Sequence, residues 1–524
     1  MCHGVVRSVS RESLRENIND DVSQGPSSYR LETLYYRRSM NSDRRQVVDL
    51  GKCTILSLSK GITMRKRSYN IAAALIVFSF GAAACSETKT ATTPDTAATD
   101  STTAVADTSG GETTTTAGAG DELNKWALDY TGGTAGAATG DSVKVGYAND
   151  EDFFPENTIG INAARDYLNA ELGGAAGKPI ELVSCKVSNA EDGAKCGTQF
   201  ANDPTIAVVI TGTILNGNQE LYDTLNGKKP VIVGNGVTST DFLTPAGQAF
   251  TAGSPGVVTG LAGYIATGLT PTPKSVAILA QNNPAGQAAV PLLIAPALKK
   301  AGIAYTPVFV EDSASAADVK AALTAVGADK ADVVMTIITI QQCINVYDAL
   351  KQLAITPTVI TTGLCFGTPM TDHLKQAGEA GPVPDGWYFG GYGYSYFRPD
   401  LDSGMQTYIA KVQQYGKPAP NATTLEYTGF AGPEFANLMT FAKFVNAAKG
   451  ATDFATIDGA IRGFTGPMML QVGTLNCGKQ VILGVPFPAV CGAQMGIQQL
   501  KGGEWISIAD GLNGKPIDAT AVQS

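Results

Sequence analysis

From about residue 143 to residue 361, short apolar segments alternate with segments whose apolar residues recur at helical spacing. This alternation leaves few folds open. Strands are predicted at 143–147, 180–183, 206–210, 230–233, 275–279, 305–310, 332–338 and 358–361. Helices are predicted between them, at 159–172, 193–201, 219–225, 257–269, 287–301, 316–326 and 344–353. Such a pattern argues for parallel sheets with helices on both faces. The strand-to-helix turns of such sheets sit at the carboxyl ends of the strands, where open α/β sheets bind ligands. The pattern runs about twice, with one break at 251–256 and a second at 381–386, before an aromatic strand at 387–396. Two α/β lobes with a cleft between them are the expected assembly.

The region ahead of the first strand has a different character. Arg65, Lys66 and Arg67 precede an apolar run at 71–80, and Gly81 to Ala84 lead into Cys85. A basic patch, a short apolar run and small residues are the layout of a signal peptide. The run is too short for a membrane span, which needs roughly 20 residues. Residues 64–84 are therefore read as a lipoprotein signal peptide and Cys85 as the acylated residue. Ala82 stands where the lipobox usually has Leu, and an ordinary secretory signal is the alternative. Residues 1–63 form a doubtful upstream segment, with Met64 as the expected start. Residues 85–140, rich in Thr, Ala, Ser and Gly at first, are expected to be a flexible linker.

Of the 38 Lys+Arg and 47 Asp+Glu, 13 and 7 lie in the first 84 residues, which leaves a net charge of about −15 beyond them. That argues against nucleic acid as a partner. Six cysteines follow Cys85 and fall in close pairs: Cys185 with Cys196, Cys343 with Cys365, Cys477 with Cys491. An even count in an exported chain signals disulfides. Six cysteines allow 15 connectivities, so sequence neighbours are the leading guess. No spacing suits a metal, and His373 is the only histidine beyond the leader. No nucleophile elbow, zinc-protease motif or phosphate loop is present, so no cofactor and no catalytic residue are expected.

The order of local patterns across about 141–510 resembles a known family. The pieces are the opening strand, loop and long helix to Asn169; Asn202-Asp203-Pro204 before an apolar strand; Pro230 to Val233 running into Gly236-Val237-Thr238; Gly386-Trp387-Tyr388; and Gly463 to Gly466. The chain resembles type I periplasmic solute-binding proteins of the leucine/isoleucine/valine-binding branch. The resemblance implies a two-lobed α/β fold with parallel sheets flanked by helices and three crossover segments. These would fall near 253–257, 386–388 and 463–466. Lobe 1 would hold 141–255 plus 388–464, and lobe 2 would hold 257–386 plus 466–515.

The resemblance also implies a function: capture of a small polar solute between closing lobes and delivery to the permease and ATPase subunits of an ABC importer. Sensing on the same fold without transport is the alternative. The site would lie outside the cytoplasm, held to the membrane through Cys85. In lobe 1 the turns Thr211-Gly212-Thr213 and Gly236-Val237-Thr238 would hold a carboxylate, with N-capping as the other role for these threonines. Phe153 and Phe154 would form an apolar wall. In lobe 2 the corresponding turns hold Asn282 and Asn283, and Cys365 and Phe366. The first lacks the aromatic residue, and the second the acidic partner for an ammonium group, that family members binding α-amino acids usually carry, so an amino acid, an amide or a carboxylate fits equally.

Overall fold

The computed structural model describes residues 119–420 and 422–523. Segment 1–63, the signal segment 64–84 and Cys85 lie outside them. Four strands form the first sheet: β1 (Val143–Asn149), β2 (Ile180–Lys186), β3 (Ile206–Thr211) and β4 (Val231–Val233). Their order is β2-β1-β3-β4 and every pairing is parallel. Every residue of β3 and β4 is buried, which explains why these segments read as continuous apolar runs. Helices Pro155–Glu171, Ser403–Tyr415 and Ala431–Ala447 pack together over one core, with Tyr167, Phe435 and Phe441 fully enclosed. Helices Ala190–Asn202 and Asn218–Leu225 close a second core around Phe200 and Leu221.

The second sheet contains β5 (Ser275–Gln281), β6 (Ala304–Val310), β7 (Val333–Ile337), β8 (Thr358–Thr362) and β9 (Tyr388–Gly391), joined in parallel in the order β9-β8-β7-β5-β6. Strand Gln494–Lys501 adds to β9 antiparallel and is followed by Glu504–Ser507. It too has a core on each face, one under helix Gly253–Thr267 and one under helices Ala316–Ala325 and Ile340–Leu353. The predicted fold class is therefore the observed one: two lobes, each a helix-flanked sheet.

Two boundaries move. Tyr388, expected in lobe 1, starts β9 and pairs with Ile360 in the second sheet. The crossover follows it: Tyr392 O accepts from Val472 N (2.7 Å) and Tyr394 N donates to Leu470 O (3.0 Å), so segments 392–394 and 470–472 run between the lobes as one antiparallel pair. Residues 465–466, expected as the third crossover, instead pair with Leu475–Asn476. The first crossover runs beside residues 489–492, with Cys491 N donating to Ala249 O and Gly492 N to Thr251 O.

The expected linker also ends early. Ala119–Thr131 is a helix that packs on helices Ser403–Tyr415 and Ala431–Ala447. Trp126 and Tyr130 stack at 5.5 Å, and Ala127 is fully buried. The Thr/Ala/Ser composition stops before this segment, and its aromatic residues supply the face that a linker lacks.

The three disulfides join Cys185 to Cys196, Cys343 to Cys365 and Cys477 to Cys491. The second ties the start of helix Ile340–Leu353 to the turn after β8. Closing its loop restricts the unfolded chain, so replacing Cys343 and Cys365 together by Ser should cost about 3 kcal/mol. A urea midpoint unchanged by this double substitution would contradict it.

Candidate functional site

The carboxyl ends of β1, β3 and β4 carry a buried polar network. Asn149, the last residue of β1, accepts at Oδ1 from Thr213 N (3.1 Å) and donates through Nδ2 to Phe154 O (2.9 Å). Asn157 sits between Asn149 (3.1 Å) and Asn235 (2.7 Å). Asn235 Nδ2 also donates to Phe430 O (3.0 Å) and to Glu434 Oε1 (3.1 Å). Glu434 lies on the first turn of helix Ala431–Ala447 and is fully buried. Burial pushes its carboxyl well above the usual carboxylate range. This network fixes the turns of lobe 1 and fills their underside.

The expected carboxylate-binding residues are used internally. Thr213 is fully buried and its hydroxyl donates to Asn235 O (3.2 Å). Thr211 is buried at the end of β3. Thr238 forms a capping box with Asp241 on helix Ser239–Leu243, and its hydroxyl also accepts from Asn218 Nδ2 (2.6 Å). Gly236 gives room to this cap, since a Cβ there would come within 2.7 Å of Asp241 Cβ. The capping role accounts for Thr238. In lobe 2, Cys365 is buried in its disulfide, and Asn283 caps helix Pro284–Ala289 through Gly286 N (2.8 Å). Asn282 is exposed and donates to Glu311. Phe366 packs between Phe389 (4.6 Å) and Trp505 (5.4 Å), a lobe 2 core role. Phe153 stays 69 % exposed, whereas Phe154 meets Phe430 edge-on at 5.7 Å.

Carboxylates gather where the lobes meet. The Thr368 hydroxyl, at the start of the lobe 2 helix Thr368–Gln376, donates to the Glu426 carboxylate of lobe 1. Glu426 and Glu151 both act electrostatically on Glu156, in the first turn of helix Pro155–Glu171. Burial, and then these two neighbours, raise the Glu156 carboxyl to about 7. Among the described residues, none of the three carboxylates forms an ion pair with Lys or Arg. Tyr396 and Tyr408 lie within reach of both Glu156 and Glu426, and burial raises both phenols. The sequence placed no function on these acids. Glu151 lies two residues beyond β1, close in sequence to Glu156, whereas Glu426 nears Glu156 only through the fold.

A family model described as "Periplasmic binding protein" matches residues 142–481, well over half of the chain. The chain belongs to the periplasmic binding protein family. Solved structures of similar fold include a leucine binding protein from Thermotoga maritima, with 14 % identity, a TM-score of 0.53, and 70 % of this chain and 98 % of that one covered. A branched-chain amino acid transporter substrate-binding protein from Streptococcus pneumoniae, in complex with isoleucine, gives 14 % identity, a TM-score of 0.53 and coverage of 70 % and 99 %. A fatty acid ABC transporter substrate-binding protein from Thermomonospora curvata gives 12 %, 0.54, and 74 % and 96 %. No curated protein sequence matches the chain. The described part of this periplasmic binding protein holds no helix long and apolar enough to cross a membrane.

Two outcomes follow. Thr238→Ala should lower stability by about 1 kcal/mol, the usual cost of a lost N-cap, and an unchanged denaturation midpoint would contradict the capping role. Glu156 has a raised folded pKa, so the folded chain binds its proton more tightly than the unfolded chain does. Its contribution to stability is full below about 4.5 and is lost as pH rises through about 7. The melting temperature should fall across that window, and Glu156→Gln should make the fall smaller. An identical pH profile in the variant would refute the assignment.

Proposed function

We propose that this protein is an extracytoplasmic solute receptor, tethered by lipid at Cys85, that closes its lobes on a small solute and passes it to the permease and ATPase subunits of an ABC importer. The family membership supports capture by a two-lobed body. Its structural neighbours, a leucine binding protein, a substrate-binding protein in complex with isoleucine and a fatty acid ABC transporter substrate-binding protein, support a small organic solute and an importer.

The observation that carries the solute class is the group Glu151, Glu156 and Glu426 beside the contact between Thr368 of lobe 2 and Glu426 of lobe 1. Three carboxylates without a cationic partner repel one another, and a half-buried one is driven toward its neutral form. A solute with an ammonium group relieves this repulsion and gives the acids the countercharge that the described residues do not supply. The acids stand on lobe 1, not at the lobe 2 turn after β8 where the family resemblance implied an acidic residue. The aromatic side chains Phe153, Phe154 and Phe430 offer an apolar surface on the same side.

The test is a thermal-shift and calorimetric screen of matched solutes with and without an ammonium group. The ammonium-bearing member of a pair should bind more tightly. Glu156→Gln and Glu426→Gln should each weaken it, by the ~1.5–3 kcal/mol of a charged hydrogen bond, or roughly 10- to 150-fold. Affinity should rise as pH passes upward through about 7, where Glu156 loses its proton. Equal binding by the uncharged analogues would reject the class. Separately, Cys85→Ala should release the protein into the medium, and full membrane retention would reject the lipid tether.

A further inference from the structure

The helix Ala119–Thr131 precedes the family-matched region, which starts at residue 142, yet it reaches the hinge. Tyr130 is the point of contact. Its oxygen accepts from the backbone N–H of Met469 (3.3 Å) and lies 2.7 Å from Thr440 Oγ1. The Thr440 hydroxyl donates to Ala436 O (2.7 Å), so the Tyr130 hydroxyl is the donor to Thr440. A continuous relay thus runs from Met469 N–H through Tyr130 and Thr440 to the helix Ala431–Ala447. Met469 immediately precedes Leu470, whose carbonyl pairs with Tyr394 N in the ladder of the second and third crossovers. Leu470 holds a positive φ of 65°, a conformation a non-glycine residue keeps only when its surroundings impose it.

The rest of the helix is built to hold Tyr130 in place. Lys443 Nζ stands 4.6 Å from the centre of the Tyr130 ring and 5.9 Å from that of Phe464. Gly404 makes room for Trp126, since a Cβ there would come within 2.9 Å of the indole. Asn446 binds the helix end at Thr131 O (2.9 Å) and accepts from Ala176 N (2.6 Å), which joins it to the loop after helix Pro155–Glu171. All of these partners belong to the helical layer of lobe 1.

We propose that helix Ala119–Thr131 is a hinge brace: it clamps the lobe 1 end of the third crossover and so sets the balance between the described lobe arrangement and more open ones. Helix Ala119–Thr131 is thereby fixed to lobe 1, and lobe 2 moves relative to it. Loosening the brace frees Met469 and Leu470 to leave the strained conformation and depopulates the described arrangement.

The experiment places spin labels at Lys417→Cys and Asp372→Cys, both exposed, in the otherwise full chain, to read the distance between the lobes by pulsed electron resonance without added solute. Tyr130→Phe removes only the hydroxyl. It should shift population away from the described distance by roughly fivefold, the ratio set by one ordinary hydrogen bond, and speed hydrogen exchange at Met469 N–H to a similar degree. Trp126→Ala should shift it further, while Lys125→Ala, on the exposed side of the same helix, should leave the distribution unchanged. A helix that only adds stability would lower the melting temperature and leave the distances alone. Unchanged distances in Tyr130→Phe overturn the proposal, whether or not Trp126→Ala folds.

Discussion

The antiparallel ladder between residues 392–394 and 470–472 is what makes two sheets into one molecule with a controlled degree of freedom. Each sheet has its own pair of cores and satisfies its own backbone. Only a few strands of chain pass between them. Pairing those strands satisfies their N–H and C=O groups away from the sheets, which stops them from fraying into independent linkers. It also limits relative motion to bending about a narrow band. The segment 489–492, hydrogen-bonded along the first crossover and tied by the Cys477–Cys491 disulfide, completes this band. Lobe closure is a hinge motion of this kind, in which a few terminal residues absorb the change while the cores stay rigid.

The polar groups at the lobe 1 strand ends divide into two sets with different work. Asn149, Asn157, Thr213, Asn235 and Glu434 are buried and bonded to one another, and they shape the turns. Glu151, Glu156 and Glu426 are less buried and lack cationic partners among the described residues. The difference is one of energetics. A buried network gains stability when its members are satisfied internally. Crowded carboxylates lose stability until something cationic arrives. Binding energy concentrated in such a group favours the arrangement in which both lobes can reach the solute.

The sequence was most legible where one physical rule dominates. Buried parallel strands must be apolar, so β3 and β4 could be placed within a residue or two. The cysteine pairs were readable because each falls within a short stretch, two of them inside βα units and Cys477–Cys491 across a run of short strands. The site was less legible because a strand-end threonine has two competing uses. At Thr238 the nearby Asp241 decides for capping, and Asp241 three residues on is the sequence sign of that cap. Glu156 and Glu426 share no local pattern and are joined by a fold spanning 270 residues. The N-terminal helix was hidden by the composition of the segment before it, although Trp126 and Tyr130, four residues apart, marked an apolar face.

Solute entry between two closing lobes is the central claim, and locking those lobes tests it most directly. Thr368→Cys with Glu426→Cys would place a thiol on each side of the cross-lobe contact. The reduced protein should still bind the solute found by screening measurably, though more weakly than the native chain because the Glu426 carboxylate is lost. After oxidation of the empty protein across this pair, binding should be abolished, because the lobes can no longer part to admit it. Undiminished binding by the fully cross-linked protein would contradict the account.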